Sequence, residues 1–249
     1  MPKKRYLCKV ILNIVVMKRF YIVLLACAMT LCACSTRGGD SVENEPLATG
    51  DLLFVSLPLD YGLSLTPDSV EAMMQAVRDS GGATQCIHVA MLEVAGDSMF
   101  IIDATARRGV ARYPLEDFLS DFTLNGGTLP VLQVMRLDDD ADGAHFVANA
   151  KGYIGRSYDF DFRLDNEAQY CSELVRNAYV TAAGDTLFAL GVMDFGEGRG
   201  QLSRYWQDLA AVLHCTIPQA GCGILPYDIL KDPRLRKVCV ADTVWAAKR

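Results

Sequence analysis

Apolar and polar positions divide the chain into short runs of two kinds. Asp51 to Pro58 (DLLFVSLP) is almost wholly apolar and predicts an opening strand. Thr66-Pro67-Asp68 then leads into SVEAMMQAVRDSGG, a helix with a cap candidate, a proline near its first turn and Gly81 as its stop. Gln85 to Val94 and Ser98 to Thr105 are two apolar runs separated by Gly96-Asp97, the signature of a β-hairpin. Pro114 to Phe122 predicts a short amphipathic helix, Leu129 to Leu137 a strand and Ala144 to Lys151 a helix. A further helix is expected from Asn166 to Ala183, ending at Gly184, and Ser203 to Leu213 reads as a helix or as irregular chain. The sum is a mixed α+β domain with an antiparallel sheet.

The N-terminal pattern differs. Phe20 to Ala33 (FYIVLLACAMTLCA) is an uncharged apolar run preceded by Lys18-Arg19 and closing on small residues. It is shorter than the roughly 20 apolar residues of a membrane-spanning helix and has the layout of a secretory signal. Residues 1–33 are therefore expected to be a signal peptide, with Met17 an alternative start. Leu31-Cys32-Ala33-Cys34 resembles a bacterial lipobox, which implies lipidation at Cys34; Leu24-Leu25-Ala26-Cys27 is a weaker match. Residues 34–48 would be a polar tether, and residues 49–249 one domain. The expected location is the cell envelope, with outer membrane favoured because Ser35 follows the lipobox cysteine. The lipid anchor would be the contact with the membrane.

Charge changes the range of partners. Six basic residues and no acid precede Cys34, so 18 basic and 30 acidic residues remain beyond it, a net charge of −12. Such a surface argues against nucleic acid. Cys86, Cys171, Cys215, Cys222 and Cys239 lie in the domain, an odd number without zinc spacing. Cys215 paired with Cys222 or Cys239, or buried thiols throughout, are equally consistent with the spacing.

Two of these elements carry chemistry. If Gly96-Asp97 is a two-residue turn, paired positions sum to 193, so Ala90 faces Asp103 and His88 faces Thr105. Alternation puts His88, Ala90, Asp103 and Thr105 on one face, with Ile87, Val89, Met91, Phe100, Ile102 and Ala104 on the other. His88 and Asp103 are then diagonal neighbours, roughly 7–8 Å apart between Cα atoms and within side-chain reach. Cys171 falls near the start of a helix for which Asn166 is a plausible cap. A thiol in a first turn faces unpaired N–H groups and the positive end of the helix dipole, which favours thiolate. Cysteine, histidine and carboxylate together are the usual set for acyl transfer by a thiol.

Gly50-Asp51-Leu52-Leu53-Phe54, Ile87-His88-Val89-Ala90-Met91, Ile102-Asp103-Ala104-Thr105 with Gly109-Val110, Tyr158-Asp159-Phe160-Asp161-Phe162 and Tyr170-Cys171-Ser172-Glu173-Leu174-Val175 stand in that order. Over residues 49–180 this pattern resembles the YiiX/YebB-like, circularly permuted branch of the NlpC/P60 cysteine peptidases, in which the histidine strand precedes the cysteine helix. The resemblance implies a papain-like fold, its antiparallel sheet packed against the helix bearing the nucleophile. It further implies Cys171 as nucleophile, His88 as general base and Asp103 as third polar residue, where relatives often carry the longer Glu. Tyr158 and Asp159 match as well, as substrate-binding residues shaping the cleft or as residues holding the loop, the loop role being favoured. Glu173 reads as structural. No cofactor or metal is required.

The implied activity is an amidase or peptidase reaction through an acyl-enzyme, with cell-wall peptides as the family's usual direction. A lipid-directed thioesterase or acyltransferase, and an inactive binding lipoprotein, are the alternatives. Asp138 to Gly143 fits the opening of a calcium loop, but its twelfth position is Asn149 rather than Glu, so it reads as an acidic turn. His145 and His214 have no visible partner, and Gly196 to Gly200 reads as a flexible loop. The tail from residue 185 carries no motif.

Overall fold

The computed structural model describes residues 45–137, 142–196, 198, 200–218 and 220–240, the side chains of residues 239 and 240 excepted. The expected signal peptide, Cys34 and positions 138–141 of the acidic turn lie outside the described residues.

Strand β1 (Leu52–Pro58) lies inside a six-stranded sheet, and every one of its residues is buried. A strand covered on both faces has no solvent side, which is why its sequence is a continuous apolar run rather than an alternation. It pairs antiparallel with β2 (Thr84–Ala95) on one side and β5 (Val131–Leu137) on the other. Next to β2 come β3 (Ser98–Thr105) and β4 (Gly109–Pro114), and β8 (Leu235–Val240) closes the other edge beside β5. The order is β4-β3-β2-β1-β5-β8, with every pairing antiparallel. A separate ladder joins β6 (Gly191–Val192) to β7 (Cys222–Gly223).

Six helices stand among the described residues: α1 (Pro67–Ser80), α2 (Leu115–Asp121), α3 (Gly143–Lys151), α4 (Cys171–Ala178), α5 (Arg204–Leu213) and α6 (Pro226–Leu230). Thr66 and Gly81 bound α1 as expected, the threonine hydroxyl accepting from the Ser69 N–H and the glycine turning left-handed at φ 64°. Helix α4 packs on β2 and β3 and against α3. Leu174 and Ala178 of α4 are fully buried there, so the sheet and the helix share one core. No helix among the described residues is long and apolar enough to cross a membrane.

The helix expected from Asn166 to Ala183 is confined to Cys171–Ala178. Asn166 does not cap it: its side-chain amide donates to Asp159 Oδ2 at 3.2 Å. At the other end the Asn149 amide donates to the carbonyls of Ala178 (2.9 Å) and Val180 (3.4 Å), so a tertiary donor meets the backbone where the helix stops. Strands β4 and β8 went unforeseen, the first short and ending in proline, the second carrying Arg236 and Lys237 in an edge position. Cys171, Cys215 and Cys222 are free thiols.

Candidate active site

The β2–β3 ladder runs from Ala95 opposite Ser98 to Met91 opposite Ile102, the register that a two-residue turn at Gly96-Asp97 requires. Further along β2 the pairing with β1 shifts, with Val55 opposite His88 but Ser56 opposite Cys86. Ile87 is the extra residue of this bulge, and a bulge bends the strand and re-aims its side chains. His88 emerges beside it. Its Nε2 lies 2.8 Å from Asp103 Oδ2, with the ring 8% exposed and the carboxylate fully buried. The rings of Phe122 and Phe118, from the end of α2, stand 4.7 and 6.0 Å from the imidazole and close its outer side.

Cys171 is the first residue of α4 and is buried. Tyr170 ahead of it is extended (φ −99°, ψ 166°), and its N–H donates to the Glu173 carboxylate at 3.3 Å. Glu173 is thus tied into the helix start, as an acid in a first turn suits the dipole. Burial pushes this carboxyl up to about 7, opposed by the Tyr170 N–H. The helix start is also held from the tail of the chain. Ser172 Oγ donates to the Ile224 carbonyl at 2.8 Å, and the Ile224 N–H donates to the Tyr170 hydroxyl at 3.3 Å.

The imidazole lies within the field of the Cys171 sulfur, whose negative charge favours the protonated ring. Because Asp103 occupies Nε2, Nδ1 is the ring nitrogen left for sulfur. Burial alone would drive His88 toward its neutral form. Negative charge on the Cys171 sulfur, hydrogen bonds to Asp103 and Cys171, and the Asp103 charge together outweigh it and raise the ring to about 10. Such a site can keep the imidazole protonated at neutral pH and deliver the proton to a neighbouring atom.

Three of the five candidate residues converge: Cys171, His88 and Asp103. The other two lie alongside. Tyr158 bridges to Gln169 in the parallel sense, and the Asp159 N–H donates to the Gln169 carbonyl at 3.1 Å, two residues before the nucleophile candidate. Burial, and next the Cys171 charge, hold the Tyr158 hydroxyl protonated. Asp159 is turned to its own loop. Its Oδ1 accepts from the Asp161 N–H at 2.9 Å, and its Oδ2 from the Arg163 N–H at 2.7 Å and the Asn166 amide. That wrap holds Phe162 at φ 53°, with its ring against Tyr158, Tyr170, Phe195 and Trp206.

Two site residues escaped the sequence. Tyr113 on β4 donates its hydroxyl to Asp103 Oδ2 at 2.9 Å. It pairs with Ile101, so extending the hairpin register across the next turn would have placed it diagonally from Asp103. Tyr205 on α5 is raised by burial and then by the Cys171 charge, within whose field it lies. It comes from the motif-free tail, and no local signal marks it. No group of three or more metal-ligating side chains converges among the described residues.

The profile of a family described as permuted papain-like amidase enzyme, YaeF/YiiX, C92 family, matches residues 46–239. Among solved structures, one titled as the metalloprotein YiiX from Escherichia coli O157:H7 superposes with a TM-score of 0.51 at 21% identity, covering 78% of this chain and 97% of that one. No curated protein matches.

Proposed function

The chain belongs to the permuted papain-like amidase family, and on that premise we propose that Cys171, His88 and Asp103 cleave peptide-like amides through an acyl-enzyme. One observation carries the assignment of roles: a buried imidazole bonded through Nε2 to Asp103 at 2.8 Å and held protonated by the charge of the thiol that opens α4. In this reading the Cys171 thiolate adds to the amide carbonyl, and the Cys171 N–H at the helix start is an oxyanion donor. The tetrahedral adduct collapses as His88 gives its proton to the departing amine, leaving a thioester. His88 then takes a proton from water, the hydroxide attacks the thioester carbonyl, and the acid leaves as the thiolate is restored. Asp103 holds the ring so that Nδ1 meets sulfur. Tyr158 and Tyr205, both within the field of the Cys171 charge, flank the cleft in this reading, and Asp159 keeps the adjoining loop in shape.

The substrate class proposed is a peptide or peptide-like amide, with cell-wall peptides first. Incubation with cell-wall peptides and, in parallel, with acyl thioesters and acyl lipids should release free amine from the peptides, and Cys171→Ala should abolish it. Turnover of the acyl substrates alone would overturn the amide assignment and leave a lipid-directed acyl enzyme. No turnover of any substrate, with Cys171 no more reactive than Cys222, would leave a binding protein.

The proposed setting is the cell envelope, with lipid on Cys34 and residues 34–48 as tether. The charged, apolar and small residues that end at Cys34 support it. Incorporation of labelled palmitate that disappears in Cys34→Ala is the expected result, and equal labelling of that variant would refute it.

A further inference from the structure

Asp103 has only one of its two oxygens in use. Oδ2 accepts from His88 Nε2 at 2.8 Å and from the Tyr113 hydroxyl at 2.9 Å, while Oδ1 is buried without a hydrogen bond. A carboxylate with two donors on one oxygen and none on the other is poorly determined by solvation. What keeps it from rotating is the pair of donors themselves. Tyr113 is suited to that task. It is buried, it sits on a strand hydrogen-bonded to the strand of Asp103, and the Arg108 guanidinium lies 4.2 Å from its ring centroid. Arg108 is itself bound to Asp121 at the end of α2, with Nη2 2.6 Å from Oδ2. The hydroxyl is thus fixed by strand pairing, by a cation over the ring and by an ion pair behind the cation.

We propose that Tyr113 is a positioning residue of the active site, its hydroxyl locking Asp103 in the orientation that presents Oδ2 to His88. The inference rests on the roles assigned above to Cys171, His88 and Asp103. It extends the hydrogen-bonded line outward as Tyr113–Asp103–His88–Cys171, drawn from β4, β3, β2 and α4 in turn. Without the hydroxyl, Asp103 has a single donor and can offer either oxygen, or turn away. The imidazole then loses part of the orientation that keeps Nδ1 on sulfur. The ionisable groups around this line are Cys171 on α4, His88 on β2, Asp103 on β3, Tyr113 on β4, Tyr158 in the loop before α4, Tyr205 on α5, Arg108 in the β3–β4 turn, Asp117 on α2 and Asp121 at its end.

The test is the rate of Cys171 alkylation by iodoacetamide on the full chain between pH 5 and 9, followed on the Cys171 peptide so that Cys215 and Cys222 do not contribute. Tyr113→Phe keeps the ring under Arg108 and removes only the hydroxyl. We expect alkylation at pH 6 to fall about tenfold, a one-unit displacement of the profile, with the rate at pH 9 unchanged. A profile identical to that of the unaltered chain, or a drop equal at every pH, would overturn the proposal, since the second is the mark of a merely structural defect. His88→Ala separates the two levels of argument. If it shifts the profile and Tyr113→Phe does not, only the role of Tyr113 falls. If His88→Ala leaves the profile unmoved, the assignment of base and nucleophile falls and the role of Tyr113 with it. Should Tyr113→Phe fail to fold, 3-fluorotyrosine encoded at position 113 keeps the hydroxyl. Its fluorine resonance should then move when Cys171 is alkylated, and an unmoved resonance would overturn the proposal.

Discussion

Ser172→Ala tests whether the tail of the chain holds the nucleophile helix in place. Ser172 is fully buried, and its hydroxyl donates to the Ile224 carbonyl at 2.8 Å. Ile224 is itself 1% exposed, so water is a poor substitute donor. Leaving a buried carbonyl without its donor costs about 1–3 kcal/mol. Alanine is the better helix former and returns up to about 0.5 kcal/mol. The net expectation is a loss of about 0.5–2.5 kcal/mol, and at about 2–4 °C per kcal/mol for a domain of this size the melting temperature should fall by about 1–10 °C. Thermal unfolding followed by far-UV circular dichroism reads it directly. Tyr170→Phe removes the acceptor of the N–H of the same residue, Ile224. The two changes in one chain should therefore depart from additivity by at least about 0.5 kcal/mol. An unchanged or raised melting temperature in Ser172→Ala, together with strict additivity, would refute the argument that this one residue of the tail anchors the start of α4.

Three further outcomes follow from the geometry. The proton on His88 stabilises the fold fully below about pH 6.5, the unfolded value, and its contribution is lost as pH rises from there toward about 10. The melting temperature should decline across that window, and Cys171→Ala should flatten the decline, since the sulfur charge is the largest favourable cause. Gly109→Ala should destabilise by more than the roughly 1–2 kcal/mol of a left-handed alanine: φ is 64°, and the new Cβ would meet the Arg156 carbonyl oxygen at 2.4 Å. Equilibrium urea unfolding measures it, and a loss below 0.5 kcal/mol would count against the packing described. Asp159→Ala removes the acceptor of three loop donors, so limited proteolysis should cut between residues 160 and 166 several times faster while the helices keep their circular dichroism.

The site was legible where local periodicity and a turn sufficed. Gly96-Asp97 sets a two-residue hairpin, and from it the register follows by counting alone. His88 and Asp103 meet as that register implies, although the recorded ladder ends at Met91 and Ile102 before reaching them. Cys171 at a helix start was likewise readable, but the helix itself was drawn too long. The error has a physical cause: whether residues 166–170 continue a helix is decided by Asp159 and Gln169, which take Asn166 and Tyr158 as partners across a loop.

What the linear chain determined by itself was the apolar opening strand, the first helix, the hairpin with its register, and the ordered motifs around His88, Asp103 and Cys171 that carry the family resemblance. Those depend on hydrophobic period, turn residues and motif spacing, each spanning a few positions. Only the tertiary structure decided that Tyr113 shares an oxygen of Asp103 and that Ile224 grips the start of α4. These are contacts between side chains and backbone brought together by sheet order and packing. No local pattern records them, because the energy of each depends on burial that exists only once the whole sheet and its helices have closed around it.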